Sequence, residues 1–472
     1  MDLIIPFDSQ SGIPLYEQIY QYIKEEIRQG KLAAGSRLPS TRVLAQNLRL
    51  SRSTTQMAYD QLLSEGYIES LPCKGYFICK IEELVEMRQK GNRPFVERRD
   101  PGRSRYEVDF SPRGIDLDSF PFNTWRKISR NTLVDDNKEM FAVGDPQGER
   151  SLRTAIGEYL HLARGVDCRP EQILIGAGSE YLLMLLSQIL GSGRRIAMEN
   201  PTYKQAYKVL KGEGYPVVPV EMDRHGMDVG RLMESGADVA YVMPSHQYPT
   251  GIVMPVKRRQ ELLGWAYGGP DRYLIEDDYD SEFRYKGKPI PALQGLDRGG
   301  RVIYMGTFSK SIAPAIRVGF MVLPEHLLEI YRERAGFYLS TVSRIDQNIL
   351  YQFITQGYYE RHLNRMRAVY KGKHDALLAG LKELEDRFSI KGEYAGLHVL
   401  LTHRRGIPEK ELVEQAAAFG VKVYGMSGCF IRPAAEGDSS TVMLGYASLS
   451  EEEIQRGTAL LDKAWASWGK ER

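Results

Sequence analysis

A chain of 472 residues that is 42% hydrophobic and 26% charged is too long for one small core and has the balance of a soluble globular protein of two or three domains. No apolar run approaches bilayer-spanning length, and the opening MDLIIPFDSQ lacks a basic segment followed by a long apolar one, so neither a membrane span nor a signal peptide is expected. The net charge of +2 selects no partner, and Cys73, Cys79, Cys168 and Cys429 lack metal-ligand spacing, which fits free thiols in a reducing cytoplasm and no metal.

The first helical pattern opens at Pro14-Leu15, carries Leu15, Ile19, Tyr22, Ile23 and Ile27 on one face, and stops at Gly30. Ser40 or Thr41 can cap a second helix, Arg42 to Leu48, with Val43, Leu44 and Leu48 facing inward. Ser51 can cap a third, from about Arg52 to Glu65, which buries Ala58, Leu62 and Leu63 and exposes Arg52, Ser53, Thr55 and Gln56. Two short runs, Gly66–Glu69 and Gly75–Ile78, flank Lys74 as a hairpin. From Ile27 to Tyr59 there is no Asp or Glu, but there are six bases: Arg28, Lys31, Arg37, Arg42, Arg49 and Arg52. Such a stretch is either a solvated basic face or a surface for phosphates, whose neutralisation supplies much of the affinity for DNA.

Two short helices about a tight turn, the second opening in polar and basic residues, have the layout of a helix-turn-helix. The run from PLYEQIYQYIKEEIRQG to CKGYFI, with GSRLPSTRVLA and SRSTTQMAYDQL inside it, resembles the winged helix-turn-helix of GntR-family regulators. The resemblance implies contacts to a double-stranded DNA operator from Arg42, Ser51, Arg52, Thr55 and Gln56, and from Lys74 and Gly75 in the wing. This domain is assigned to residues 1–80. In the next segment, 81–107, charged residues are so dense that an exposed linker is expected; its basic residues could also touch DNA.

From 108 to 472, apolar runs alternate with helical patterns: Ile173–Gly176, Arg195–Glu199, Val239–Met243, Tyr273–Asp277, Val302–Gly306 and Val318–Val322. That alternation predicts an α/β domain with a largely parallel sheet and a ligand site at the strands' carboxyl ends. Lys310, in GTFSKSIAPAIRVG, follows one strand, where a partly deprotonated amine can form an imine with an aldehyde cofactor. Thr307, Ser309 and the fork of Arg317 are suited to a phosphate. The acids Glu276, Asp277 and Asp278 follow another strand and compete as the buried carboxylate that would keep a pyridine nitrogen protonated. Gly178, Ser179 and Glu180 open an apolar helix whose free amides favour an anion. Tyr203 follows Glu199-Asn-Pro-Thr, and His246 and Tyr248 lie in PSHQYPTG.

In this order the motifs resemble those of fold-type I aminotransferases, the pyridoxal 5′-phosphate (PLP)-dependent transferase fold. The resemblance makes Lys310 the Schiff-base lysine and Asp277 the ring-nitrogen partner, with Tyr279 on the phenolic oxygen and Tyr203 stacked on the ring. It places Arg432 as a clamp for a carboxylate, against a plain surface arginine, and leaves His246 between a cofactor contact and a loop hydrogen-bonder. One departure is plain: Tyr248 stands where the enzymes carry asparagine, and a tyrosine cannot reproduce amide geometry.

The domain order resembles the MocR subfamily of bacterial GntR regulators over essentially the whole chain. That implies a multidomain α/β protein, cytoplasmic, in which the large domain senses PLP or its adduct with an amino compound and alters DNA binding or transcription. It further implies a domain-swapped homodimer. Because Tyr248 replaces the asparagine and a regulator gains nothing by consuming its signal, the chemistry is expected to stop at imine formation or slow half-transamination. The alternatives are a working PLP-dependent aminotransferase carrying a DNA-binding module, and a DNA-binding protein whose sensor domain no longer holds cofactor.

Overall fold

The computed structural model describes residues 3, 5–8, 12–72, 74–80, 106–133, 138–285, 290–392, 395–433 and 439–468. The chain divides into two compact units, Met1–Asp100 and Pro101–Arg472. The proposed linker at 81–107 lies outside the described residues except for its last two.

In the first unit α1 (Leu15–Arg28) buries Ile19, Ile23 and Ile27, a single stripe at four-residue spacing; Leu15 is largely exposed, not inward as expected. Ser40 caps α2 (Thr41–Leu48) by accepting from the Val43 N–H, and Ser51 caps α3 (Arg52–Ser64) by accepting from the Thr54 N–H. Helix α2 turns Thr41, Leu44 and Ala45 inward and leaves Val43 45% exposed, a correction to the expected facing. Strands β1 (Ile68–Leu71) and β2 (Gly75–Ile78) pair antiparallel and close the core with Ile68 and Ile78.

The second unit begins with β3 (Val108–Asp109), α4 (Phe122–Thr132) and α5 (Arg150–Arg164). Strands and helices then alternate: β4 (Ile173–Gly176), α6 (Ser179–Leu190), β5 (Ile196–Asn200), α7 (Lys204–Gly212), β6 (Val217–Asp223), β7 (Gly226–Met227), α8 (Val229–Glu234), β8 (Val239–Val242), α9 (Val256–Tyr267) and β9 (Tyr273–Asp278). β10 (Val302–Thr307) and β11 (Gly319–Val322) complete an eight-stranded sheet, ordered β4-β11-β10-β9-β8-β5-β6-β7. The five strands β10, β9, β8, β5 and β6 run parallel, and β11 and β7 are antiparallel to their neighbours. Most central strands are buried along their whole length, as a sheet covered by helices on both faces requires.

The chain continues through α10 (Glu325–Arg334), α11 (Arg344–Thr355) and α12 (Tyr358–Leu381). A second sheet, which the sequence reading did not anticipate, follows. It contains β12 (Phe388–Lys391), β13 (His398–His403), β15 (Tyr424–Gly425) and β16 (Thr441–Gly445) in the order β12-β13-β16-β15. Between them lie α13 (Glu409–Ala418) and β14 (Val421–Lys422), which pairs with β3, and α14 (Glu451–Ala464) ends the unit. Leu377, Leu401, Leu444, Leu461 and Trp465 form the core beneath this sheet.

Candidate functional site

The parallel strands β8, β9 and β10 lie side by side, so the loops leaving their carboxyl ends meet above one edge of the sheet. There they line a cavity of about 470 Å3. From β10 come Thr307, Ser309 and Lys310; from β9, Asp277, Tyr279 and Asp280; from the loop after β8, Tyr248. Ser179 and Glu180 at the start of α6, Tyr203 before α7, and Arg317 complete most of the wall.

The Lys310 amine donates to the carbonyls of Pro112 (3.2 Å) and Arg113 (3.0 Å). Burial, helped by the charge of Arg113 and opposed by Asp280, brings it down to about 8. At neutral pH about a tenth of such amines are unprotonated and nucleophilic. Asp277 is buried near the end of β9, where Tyr241 donates to its Oδ2. Burial pushes its carboxyl up to about 7, against the Tyr241 bond and reinforced by Asp278, Asp280 and Glu180.

The three competing acids separate cleanly. Glu276 accepts from the backbone of Leu293 and Gln294 (2.8 Å each). Asp278 accepts from Arg164 Nε (2.8 Å) and Tyr304 Oη (2.6 Å). Asp277 alone of the three lines the cavity.

The other end of the wall is a cradle of donors. Ser309 N–H donates to Thr307 Oγ1 (3.1 Å), whose hydroxyl lies 3.0 Å from Ser309 Oγ. Arg317 holds a left-handed backbone (φ 51°) and donates through Nη2 to Glu180 Oε2 (2.9 Å) and the Ala177 carbonyl (3.0 Å). Gly178, at φ 91°, precedes α6; a Cβ there would stand 2.5 Å from Arg317 Nη2, so a side chain at this position would push the guanidinium from its place. Opposite, Tyr248 meets the rings of Tyr203, Tyr279 and His398 edge-on at 5.4–6.1 Å between centroids.

These residues fit pyridoxal phosphate. A buried carboxyl that accepts from the phenol of Tyr241 suits a protonated ring nitrogen, and the cradle of hydroxyls, helix amides and arginine suits a phosphate.

Two expected residues stand elsewhere. His246 is buried behind Tyr279 rather than lining the cavity. Its Nδ1 is 3.0 Å from Asp280 Oδ2 and 3.0 Å from Tyr279 Oη. Arg432 is exposed and does not line the cavity; its carbonyl accepts from Asn200 Nδ2 (3.1 Å). Arg113, which is exposed, does line the cavity. Sequence reasoning missed Arg113, Asp280, Tyr241 and His398. Asp280 directly follows Tyr279 in the same acidic stretch, but the other three come from distant segments with no local motif.

In the first unit Arg42, Ser51, Arg52 and Lys74 are exposed, and Gly75 holds φ 103° with the Arg37 guanidinium packed on it. Gln56 is partly exposed and donates to Asp60 Oδ1 (2.8 Å). Thr55 is a correction: it is 0% exposed, and its hydroxyl donates to the Thr41 carbonyl (2.9 Å), locking α3 to α2 rather than facing outward. Among the described residues, no group of three or more His, Cys, Asp or Glu is placed to hold a metal, and no helix is long and apolar enough to cross a membrane.

The chain is similar to two family models: bacterial regulatory proteins of the gntR family over residues 15–78, and aminotransferase class I and II over residues 116–459. It is 40% identical to an HTH-type transcriptional regulator, YdeL, of Bacillus subtilis, covering 98% of this chain and 99% of that one. It is 32% identical to the probable rhizopine catabolism regulatory protein MocR of Rhizobium meliloti, covering 98% and 96%. Among solved structures it is similar to a multiple substrate aminotransferase from Thermococcus profundus, with TM-score 0.69 and 27% identity over 78% of this chain and 92% of that one. With a gntR model at one end, an aminotransferase model over most of the rest, and regulators of the same build matching from end to end, the chain belongs to the MocR subfamily of GntR-family transcription regulators.

Proposed function

We propose that the protein is a cytoplasmic transcription regulator that binds operator DNA through its first unit and senses PLP, or PLP joined to an amino compound, through its second. The observation that carries this reading is the meeting of Lys310, Asp277 and the Arg317 cradle on one cavity, in a chain that opens with a gntR-type helix-turn-helix. When bound, PLP supplies an aldehyde that accepts an amine and a ring that withdraws electrons from it. Lys310 would hold the aldehyde carbon, Asp277 a proton at the ring nitrogen, Tyr279 the phenolic oxygen, and Tyr203 the ring face. Ser179, Thr307, Ser309 and Arg317 would hold the phosphate.

Asp280 and His246 orient Tyr279 from behind, and Lys310, brought down to about 8 by burial, would offer the aldehyde a partly unprotonated amine. The acid group of such an effector would meet Arg113 at the rim, with Arg432 outside the cavity. Borohydride reduction of protein loaded with PLP should fix a pyridoxyl group on Lys310 alone, read by peptide mass mapping. A label on another lysine contradicts the assignment.

The second reading is a working aminotransferase carrying a DNA-binding module. It is favoured by one observation, that Lys310 keeps an amine able to shuttle protons. Sustained product formation separates the two.

A further inference from the structure

Among the described residues, two that are not glycine hold a positive φ, and both are arginines. Arg317 lies in the phosphate cradle of the second unit. Arg49, at φ 54° and ψ 41°, closes the C-terminus of α2, two residues before the Ser51 cap of α3. Its N–H points back to the carbonyls of Ala45 and Gln46, and the Leu50 N–H follows to Ala45 (2.9 Å). This is the helix-ending geometry for which glycine is the relaxed residue, because a Cβ in the left-handed region crowds the backbone.

The sequence nevertheless places there a long cation. Leu48 and Leu50 on either side pack partly against the core and pin the turn, while Arg49 itself is exposed. No ion pair or side-chain hydrogen bond engages its guanidinium among the described residues, and no acid occurs from Ile27 to Tyr59 to take one. In sequence it sits between the two exposed bases of the helix-turn-helix, Arg42 and Arg52.

We infer that Arg49 is a DNA phosphate contact, held at the turn of the helix-turn-helix in a backbone conformation that glycine would adopt with less strain. This rests on the DNA-binding reading above. An exposed guanidinium that the turn holds beside the recognition helix, with no partner among the described residues, is suited to a backbone phosphate, which adds affinity without reading sequence. The competing account is that the charge merely complements the C-terminal dipole of α2. The two differ in sign: a phosphate contact predicts that Arg49→Gly relaxes the fold and weakens binding, whereas a dipole role predicts that it weakens the fold.

The test uses the full chain and a fluorescein-labelled DNA duplex of mixed sequence, with anisotropy titrations between about 50 and 200 mM salt. Wild type, Arg49→Gly and Arg49→Lys are compared, and the Tm of each is taken alongside. Arg49→Gly should keep or raise Tm, lose several-fold in affinity at the lower salt, and flatten the log–log salt slope by about one. Arg49→Lys should recover most of the slope. Affinity and slope equal to those of wild type overturn the inference while leaving the DNA-binding reading standing. So does a loss of affinity that tracks a lower Tm and is not rescued by lysine. A wild-type chain that fails to bind the duplex overturns both.

Discussion

Asp277 and Arg113 mark the two limits of what residue-level reading reached. Asp277 was legible because it follows a strand inside a recognisable run, and three-dimensional partners were needed only to separate it from Glu276 and Asp278. Arg113, Tyr241 and His398 were not legible, since each reaches the site from a segment far away in the chain and carries no motif of its own. The buried carboxyl also gives a pH prediction. Unfolded, Asp277 ionises at its ordinary value of 3.8; folded, only at about 7. Between those values the folded protein keeps a proton that the unfolded chain has lost, so stability falls as pH rises from about 4 to 7. In cofactor-free protein, Asp277→Asn should therefore be more stable than wild type at pH 8, by up to about 4 kcal/mol, with the gain fading toward pH 4. Saturating PLP should reverse the order, because only the carboxylate can pair with a cationic ring. Thermal unfolding at the two pH values, with and without PLP, checks both signs; a variant never more stable than wild type at pH 8 contradicts the burial account.

At the scale of elements, the helix-turn-helix could be read because its signals are local: hydroxyl caps at Ser40 and Ser51 and apolar stripes at helical spacing. The facing errors at Val43 and Thr55 share a cause. Thr55 with Ala58, Tyr59 and Leu62, and Thr41 with Leu44 and Ala45, form buried stripes at spacings of three and four, and each stripe runs through a threonine, which polarity alone does not mark as inward. The C-terminal sheet escaped notice for a different reason, since its strands are two to six residues long and β15 and β16 are divided from β13 by a helix. Thr55→Val should thus destabilise the first unit by about 1–2 kcal/mol, by leaving the Thr41 carbonyl without its buried partner, and leave the salt slope of DNA binding unchanged. Arg42→Ala and Arg52→Ala should do the opposite, sparing Tm and flattening the slope by about one each. Equal slopes for all three variants would remove Arg42 and Arg52 from the interface.

For the whole molecule, the second unit exposes large apolar side chains, Phe141 and Val143 at 76% and Phe337 at 69% among them, which is unusual for a surface that stays bare in solution. A homodimer is the proposed cover, and sedimentation of wild type at micromolar concentration should give twice the chain mass; a monomer at all concentrations contradicts it. Stopped-flow absorbance with candidate amines, followed by a keto acid, should show a fast spectral change without sustained product. Turnover on the order of 10 per second, ordinary for enzymes, would instead make this an aminotransferase. The central claim is that cofactor chemistry at Lys310 governs what the DNA-binding unit does. Its most direct test is the affinity of the full chain for DNA from upstream of its own gene, measured by anisotropy with and without PLP and an amino compound, in wild type and Lys310→Ala. The account predicts that the ligands shift the wild-type affinity and leave Lys310→Ala, which still binds DNA, unmoved. Identical titrations for wild type with and without ligand, or an equal shift in both proteins, would contradict it.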